Sequence, residues 1–369
     1  MAKVRYSYLA QQFADPSEIF DELRRFLPTG QFTLGKAVGE FERRFADLIG
    51  TKHAIGVGSG TDSLKLSLKA VGVGYGDEVI TVANTFIATA GAINEVGART
   101  VFVDCDDSFC MDVSKVEAAI TPRTKAIMPV HFTGYMTDMR KLMPIAHKHN
   151  LIVVEDACQA ILADIEGHKA GTWGIAGGFS LHPLKNLNVW GDGGIIVTND
   201  DAVAGKLRLL RNHGLINRDE IEIFGYNSRL DTVQAIVGNW LIKDVHDITA
   251  RRIENAAYYD SQFSTISQLR VPARPTDCKR VFHLYIVFAE RRDGLLKYCL
   301  QKGIDAKIHY PIPLYRQKGL AHLGYKAGDF PVADRQASEI ISFPCDQHLS
   351  RSEQDYVIST VREFYAGGG

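Results

Sequence analysis

The chain has 369 residues, too many for one small binding module, and this length favours a large domain with a smaller one. Its 42 Lys and Arg residues against 43 Asp and Glu residues give a net charge of −1, so a polybasic binder of nucleic acid or of a membrane surface is not expected. Hydrophobic residues make up 46% and charged residues 23% of the chain, which excludes wholesale disorder.

Short β-branched runs alternate with helical stretches in the first half of the chain. Strands are predicted at residues 53–57, 78–82, 100–103, 125–130, 151–155, 176–180 and 194–198. Apolar residues recur at helical spacing in the stretches between them, SLKLSLKAVG, FIATAGAINEVG, VSKVEAAI and DMRKLMPIAHKHN. The alternation predicts an α/β fold with a mostly parallel seven-stranded sheet covered by helices on both faces.

The regular alternation of strands and helices ends at about residue 200. The predicted elements are, in chain order, a helix to Arg211, the turn NHGLINRDEIEIFGYNSRL, a long helix from about Asp231 toward Phe263, a loop at 269–277, a strand at 282–288, a helix at about 292–302 and the Pro-rich stretch HYPIPLYRQ. We predict a large α/β domain over residues 1–245 and a smaller α+β domain over residues 246–369, with the N-terminal segment packing against either of them.

The cysteines and the apolar runs bear on the location of the protein. The six cysteines form no C-x-x-C pair and have no zinc-finger spacing with histidines, so we expect reduced thiols and no metal site. No apolar run approaches the roughly 20 residues of a membrane span, and MAKVRYSYLAQQF lacks the core of a signal peptide. We therefore expect a cytoplasmic protein without a membrane or nucleic-acid partner.

The first motif with chemical potential is the glycine turn of VGSGTDSLKL, residues 57–66. Gly60 and Thr61 follow a predicted strand and open a helix, whose N-terminal amides suit a phosphate. An ordinary helix cap is an equally good interpretation. The adjoining GVGSG resembles the dinucleotide fingerprint G-x-G-x-x-G but lacks its last glycine, so a dinucleotide-dependent oxidoreductase is the less favoured alternative.

Two further motifs follow the ends of buried strands. LIVVEDACQA, residues 151–160, presents Asp156 and Gln159, and a buried carboxylate needs a cationic partner such as a protonated pyridine nitrogen or a metal. GGFSLHPLKN, residues 177–186, presents Ser180 and then Lys185, and a lysine beside apolar residues can become a nucleophilic amine. Each motif alone is also typical of a helix cap or of a loop lysine.

Taken together, the three motifs supply the parts that pyridoxal 5′-phosphate requires. The helix N-terminus would anchor the phosphate, Asp156 would keep the ring nitrogen protonated, and Lys185 would form the Schiff base. The ends of parallel strands lie along one edge of a sheet, where open α/β folds bind their ligands. The sequence therefore predicts a cofactor site at this edge.

The chain resembles the DegT/DnrJ/StrS sugar aminotransferases, which are fold-type I pyridoxal-phosphate enzymes. The matching blocks run nearly end to end and are GEFERRFADLIGTKHAIGVGSGTDSLKLSL, VITVANTFIATAGAI, VFVDCD, MPVHFTGYMTDM, VVEDACQA, FSLHPLKN, GDGGIIVT, GYNSRLDTVQA and HYPIPLY. The resemblance implies a role for each of eight residues at the cofactor. Lys185 would bond to the aldehyde carbon, Asp156 would pair with the ring nitrogen, Gln159 would lie near the ring hydroxyl, and Phe86 would stack on the ring face. Gly60, Thr61 and Ser180 would hold the phosphate, and Asn227 would reach the phosphate of a neighbouring subunit's cofactor. The last of these implies a homodimer with shared active sites.

The resemblance also implies an activity, the transfer of an amino group from glutamate to a keto or aldehyde sugar in amino-sugar or lipopolysaccharide biosynthesis. The stretch NLNVWGDGG is similar to the branch that aminates C8 of a 3-deoxy-octulosonate, and nucleotide-linked 4-keto- or 3-keto-hexoses are the rival substrates. A neighbouring branch dehydrates sugars with pyridoxamine phosphate and carries histidine in place of the lysine, so Lys185 argues against it. Some relatives were first noticed as regulators of gene expression, but the near-neutral charge argues against direct DNA binding.

Six residues are candidate contacts for the substrates. They are His182, Trp190, Arg229, His309, Tyr310 and Tyr315. Arg229 would meet the donor carboxylate with two parallel hydrogen bonds. A structural salt bridge for Arg229, core packing for Trp190 and a rigid turn for the two tyrosines remain open.

Overall fold

The computed structural model describes residues 3–368. Its strands are β1 (His53–Val57), β2 (Glu78–Val82), β3 (Arg99–Val103), β4 (Thr124–Ile127), β5 (Ile152–Asp156), β6 (Asp164–Ile165), β7 (His168–Lys169), β8 (Ala176–Ser180), β9 (Gly194–Thr198), β10 (Leu269–Arg270), β11 (Cys278–Lys279), β12 (Tyr285–Ala289) and β13 (Ile340–Phe343).

The helices surround these strands. The α-helices are α1 (Leu9–Gln12), α2 (Ser17–Phe26), α3 (Lys36–Ile49), α4 (Gly60–Ala70), α5 (Ala88–Glu95), α6 (Met139–Lys148), α7 (Asp201–Leu210), α8 (Thr232–Leu241), α9 (Val245–Phe263), α10 (Arg292–Gln301), α11 (Pro331–Glu339) and α12 (Arg351–Glu363). Short 3₁₀ segments lie at Leu27–Thr29, Val113–Lys115, Glu117–Ala119, Phe132–Gly134, Ile242–Asp244, Leu314–Arg316 and Lys318–Leu323, and a π-helical turn lies at Phe364–Gly368.

A seven-stranded sheet in the order β1-β9-β8-β5-β4-β2-β3 forms the core. Strands β2, β3, β4, β5 and β8 are parallel, and β9 is antiparallel to both of its neighbours. Every residue of β2, β8 and β9 is buried. Consecutive residues Val153 and Val154 of β5 belong to different apolar clusters, so the sheet is covered on both faces. The prediction of an α/β fold with a mostly parallel seven-stranded sheet is confirmed.

Helix prediction was less accurate than strand prediction. The segments at 53–57, 78–82, 176–180 and 194–198 are strands with the predicted bounds. The stretch VSKVEAAI forms two 3₁₀ segments instead of an α-helix, and the single long helix expected from about Asp231 is divided into α8 and α9. Within residues 3–368, no helix combines the length and apolar character needed to cross a bilayer.

A second, antiparallel sheet in the order β10-β12-β13 follows the long helix α9. Its apolar cluster includes Tyr259, Phe263 and Tyr285, and it also takes in Val4 and Tyr8. The start of the described chain therefore packs with the C-terminal α+β part. The division into domains at residue 245 stays a prediction, and α9 begins at that residue.

Candidate active site

A cavity of about 370 Å³ lies where β5 and β8 end and α4 begins. Ten of the predicted site residues line it, namely Gly60, Thr61, Phe86, Asp156, Gln159, Ser180, His182, Lys185, His309 and Tyr310. They come together because the carboxyl ends of neighbouring strands share one edge of the sheet. His309 and Tyr310 reach this edge from the C-terminal part of the chain.

The glycine turn brings backbone amides to one end of the cavity. The Ser59 side chain caps α4 by accepting a hydrogen bond from the Asp62 amide at 3.1 Å. A Cβ atom on Gly60 would lie 2.6 Å from the Ser180 Cβ and 3.2 Å from the Cys158 Sγ. Only glycine permits this close approach of α4 to β8. A helix N-terminus with the Ser180 hydroxyl beside it suits a phosphate group.

The Asp156 carboxylate is buried with only neutral hydrogen-bond donors around it. The Thr89 hydroxyl donates to Oδ2 at 2.7 Å, and the Cys158 amide donates to Oδ1 at 3.2 Å. Because both of these donors are neutral, a cationic group in the cavity would stabilise the buried carboxylate further. A protonated pyridine nitrogen is such a group.

Gln159 is oriented by a backbone contact. Its Oε1 accepts a hydrogen bond from the Thr133 amide at 2.9 Å. The amide group of Gln159 is therefore left to donate into the cavity, where the hydroxyl oxygen of a pyridoxal ring is a suitable acceptor. Both strand-end side chains thus fit the polar atoms of that cofactor.

Lys185 follows β8 and faces the same cavity. Its amide donates to the His182 carbonyl at 2.8 Å, and the Asn188 side chain donates to the Lys185 carbonyl at 2.9 Å, so its backbone is held on both sides. Burial lowers the pKa of the Lys185 amine, although the nearby Cys158 and Asp156 act in the opposite direction. A lowered pKa increases the neutral, nucleophilic fraction of the amine.

Aromatic rings and histidines complete the cavity wall. The Phe86 ring is 52% exposed in the cavity, and its centroid lies 6.0 Å from that of Tyr310. Burial and then the charges of Lys307 and Lys185 lower the pKa of His309 to about 4. Burial and then Lys185 lower the pKa of His182. The two imidazoles therefore favour the neutral form near pH 7.

Three predicted substrate contacts lie outside the cavity lining. Arg229 donates to the Asn212 side chain at 3.1 Å. Tyr315 is 2% exposed and stacks edge-on against Phe330 at 4.8 Å between ring centroids. The Trp190 ring instead lies against the rings of Phe13 and Phe20, at 5.7 and 6.0 Å between centroids. Local contacts in each case hold the side chain away from the cavity.

Asn227, the residue implied for a shared site, is exposed and also lies outside the cavity. Its neighbour Ser228 adjoins the glycine turn, because the Ser228 hydroxyl accepts from the Gly58 amide at 3.1 Å and donates to Asp62 at 2.8 Å. Asn227 is thus an exposed residue next to the segment that contacts the glycine turn.

Several residues of the cavity were not predicted from the sequence. They are Tyr6, Ser7, Thr85, Ala88, Arg252, His283 and Cys345, among others, and Thr89 behind Asp156. Thr89 lies less than one helical turn after Phe86 in NTFIAT, which is a signal that could have found it. Tyr6 and His283 carry no local signal, because only the tertiary fold brings them to the strand ends.

Comparisons with known proteins show the family to which the chain belongs. The profile of the DegT/DnrJ/EryC1/StrS aminotransferase family matches residues 14–362. The dTDP-3-amino-3,4,6-trideoxy-alpha-D-glucose transaminase of Micromonospora megalomicea subsp. nigra is 41% identical to this chain over 372 residues, which cover 98% of both chains. The UDP-N-acetyl-3-dehydro-alpha-D-glucosamine 3-aminotransferase of Acidithiobacillus ferrooxidans is 41% identical over 345 residues, which cover 93% of this chain and 92% of that one.

A solved structure extends the likeness to the whole fold. S. venezuelae DesV, in complex with a ketimine intermediate, matches with a TM-score of 0.96 at 37% identity and covers 99% of both chains. The fold-type I architecture that the resemblance implied is thereby confirmed. The chain belongs to the DegT/DnrJ/EryC1/StrS aminotransferase family, and it is a pyridoxal 5′-phosphate-dependent aminotransferase that acts on a sugar.

Proposed function

We propose that this enzyme transfers an amino group from glutamate to carbon 3 of a nucleotide-linked 3-keto-hexose. The observation that supports the choice of carbon is that both curated relatives named above are transaminases of 3-amino or 3-dehydro sugars on dTDP or UDP. Octulosonate amination at C8, in lipopolysaccharide biosynthesis, is the alternative acceptor. It rests on the NLNVWGDGG stretch alone, in which Asp192 lines the cavity and Trp190 packs outside it.

Each polar residue of the cavity has a role in this proposal. Bound pyridoxal phosphate would supply an electron sink for the carbon atom next to the transferred nitrogen. Asp156 would hold the ring nitrogen in its protonated form, and the α4 N-terminus with Thr61 and Ser180 would hold the phosphate. Lys185 would bond to the cofactor at rest and, once displaced, would move a proton at that carbon as base and then as acid.

The proposal includes a homodimer whose two subunits share their active sites. Asn227 is exposed, and the same loop exposes large apolar side chains, Ile216 at 58%, Ile221 at 64% and Phe224 at 98%. Such a patch beside the cofactor site is typical of a surface that another protein covers. A second copy of the chain would bury it and would bring its own Asn227 to the phosphate. The proposal also includes a reducing, cytoplasmic location, which agrees with the six free cysteines.

The role of Lys185 is tested by Lys185→Ala. We expect the visible absorbance of the lysine-linked cofactor to disappear, and turnover to fall by about 10²–10⁴-fold or more, because the base at the reacting carbon is lost. Lys206→Ala, which changes an exposed lysine of α7, is the matched control and should leave both properties unchanged. A Lys185→Ala enzyme with normal absorbance and full turnover contradicts the assignment.

The choice of acceptor is tested on the same enzyme. Its pyridoxamine form, made with glutamate, is offered dTDP- and UDP-linked 3-keto- and 4-keto-hexoses and a free 8-oxo-octulosonate, and the return of the lysine-linked absorbance is followed. We expect the 3-keto nucleotide sugars to react fastest and to yield an amine. Preferential reaction of the octulosonate contradicts the acceptor, and a deoxygenated product without nitrogen would mean a dehydratase.

A further inference from the structure

Two buried polar atoms of the cavity wall lack hydrogen-bond partners. In the part of the chain that the structure describes, the Tyr6 hydroxyl and the His283 Nδ1 are buried and have no hydrogen-bond partner within 3.5 Å. Burial raises the pKa of the Tyr6 hydroxyl, and the Ser342 side chain lies near enough to offset part of that rise. Tyr6 and His283 both line the cavity that contains Lys185. Buried polar groups are nearly always hydrogen-bonded in native proteins. Two such groups without a close partner in one cavity therefore suggest that a bound ligand supplies the partner.

Both side chains are held in place by their surroundings. The amides of Lys3 and Val4 donate to the Gly303 carbonyl at 2.7 and 3.1 Å, which ties down the segment that carries Tyr6. The centroid of the Tyr6 ring lies 5.6 Å from that of the His309 ring and 4.9 Å from the Lys307 ammonium. Tyr6 is thus fixed before any ligand arrives.

Arg252 holds the backbone of His283 in position. Its guanidinium donates to the Phe282 carbonyl at 3.2 Å and to the His283 carbonyl at 3.5 Å. Gln347 accepts from the Arg252 Nε at 2.9 Å, and the Asp346 carboxylate lies 3.5 Å from Nη2. The Arg252 charge is therefore compensated within the protein, and its hydrogen bonds hold the His283 backbone at the cavity wall.

The two orphan groups are neutral near pH 7. Burial raises the pKa of the Tyr6 hydroxyl, and burial followed by the charges of Lys185 and Arg252 lowers the pKa of His283 well below its usual value. A neutral phenol and a neutral imidazole both donate and accept hydrogen bonds. Such a pair suits an uncharged hydroxyl better than it suits the carboxylates of glutamate, which require compensating positive charge.

We propose that Tyr6 and His283 bind a hydroxyl group of the acceptor sugar and determine specificity in the half of the reaction that consumes the sugar. This inference rests on the proposed function, because the other half of the reaction involves no sugar. The N-terminal segment then belongs to the substrate site as well as to the packing of the C-terminal part. The orphan hydroxyl costs stability in the free enzyme, and the substrate compensates for it on binding.

The test separates the two half-reactions of the holoenzyme carrying Tyr6→Phe. The rate of cofactor conversion by glutamate should be unchanged. The apparent Kd of the pyridoxamine form for a UDP-linked 3-keto-hexose should rise by about tenfold, the loss expected for one hydrogen bond. The thermal midpoint should change little, because the removed hydroxyl makes no hydrogen bond within 3.5 Å in the protein.

Tyr8→Phe is the matched control in the same segment. The Tyr8 hydroxyl donates to Glu353 at 2.5 Å, and Tyr8 does not line the cavity. This change should lower the thermal midpoint and leave both half-reactions unchanged, the reverse of the Tyr6→Phe pattern.

Two variants of His283 test the second residue of the pair. His283→Leu should weaken sugar binding as Tyr6→Phe does. His283→Asn, which keeps a polar group near the Nδ1 position, should restore part of the lost affinity for the sugar.

Each contrary result overturns the inference. An unchanged sugar half-reaction in Tyr6→Phe, an equal slowing of both half-reactions, or a lowered thermal midpoint without weaker sugar binding would assign the hydroxyl a structural role. These results leave the glutamate half-reaction of the wild-type enzyme intact. A wild-type enzyme that does not react with glutamate, or whose pyridoxamine form no keto sugar converts, overturns the proposed function and this inference together.

Discussion

Gly60 shows how a single missing side chain shapes the cofactor site. A methyl group at this position would lie 2.6 Å from the Ser180 Cβ, so Gly60→Ala must push α4 away from β8. We expect the free energy of unfolding to fall by about 1–3 kcal/mol, the usual cost of overpacking. Pyridoxal phosphate should also bind more weakly, because the helix amides move away from its phosphate. Denaturant unfolding of the apoenzyme and absorbance titration with the cofactor measure the two effects.

Gly205 provides the control for that substitution. It is an exposed glycine within α7, and a Cβ atom there would meet no atom within 4 Å. Gly205→Ala should therefore stabilise the protein by about 0.5–1 kcal/mol, because alanine loses less backbone freedom in a helix. Cofactor affinity should not change. Equal cofactor affinity in the two glycine variants contradicts the role of the close approach at Gly60.

The sequence could place in the cavity the residues at or near strand ends, but not the residues that distant parts of the chain contribute. Asp156 ends an apolar strand and Lys185 follows the end of another by five residues, so the geometry of a parallel sheet was enough to place both near one edge. Thr89 reaches Asp156 across 67 positions, and Tyr6 reaches the cavity from the start of the chain. Contacts of this kind depend on packing that no local pattern records.

At the scale of elements, Glu155 connects the end of β5 to the loop that precedes β8. Its carboxylate is fully buried and accepts four hydrogen bonds, from the His131 ring at 2.7 Å and from the amides of Gly171, Trp173 and Gly174 at 2.8, 2.7 and 2.7 Å. Its neighbour Asp156 points from the same strand end into the cofactor cavity. The carboxylate therefore holds the strand that positions Asp156.

Glu155→Gln tests that connection. The new amide group would face donors on every side, so at least one buried N–H would lose its acceptor. We expect the free energy of unfolding to fall by about 1–3 kcal/mol, as is usual for a buried unsatisfied group. Urea unfolding measures the loss. Glu117→Gln, at a surface carboxylate that pairs with Lys148 and His149, should change stability much less, and equal losses in both variants count against the role of burial.

The elements that were predicted incorrectly have local and tertiary causes. The Asp112 side chain accepts hydrogen bonds from the Ser114 amide and hydroxyl at 3.0 and 2.6 Å, and this turn competes with an α-helix in VSKVEAAI. The expected long helix divides at Ile242–Asp244, and α9 passes from one core to the other along its length, since Val245 and Ile248 at its start still belong to the main cluster. Ile236 of α8 belongs to the main cluster and Tyr259 of α9 to the C-terminal one. Apolar spacing records that a face is buried but not what covers it.

At the scale of the whole molecule, the isolated chain leaves one end of its cofactor cavity incomplete if the proposed dimer is correct. Phe224 is 98% exposed in the segment that leads to Asn227. In a monomer, an exposed phenylalanine next to the glycine turn would have no role in binding the cofactor. A two-fold dimer would cover it and would place each Asn227 at the partner's cavity.

Mixing two inactive variants tests this arrangement. Lys185→Ala lacks the reacting amine, and Asn227→Ala lacks the contact that we assign to the neighbouring site. If the sites are shared, a dimer of one copy of each has one site with both defects and one site with neither. Random exchange of subunits at equal amounts should then restore about a quarter of the wild-type activity. Turnover is measured before and after exchange, and two differently tagged copies verify that mixed dimers form. If mixed dimers form without any gain in turnover, or if Asn227→Ala is fully active by itself, the role of Asn227 at the neighbouring site is contradicted.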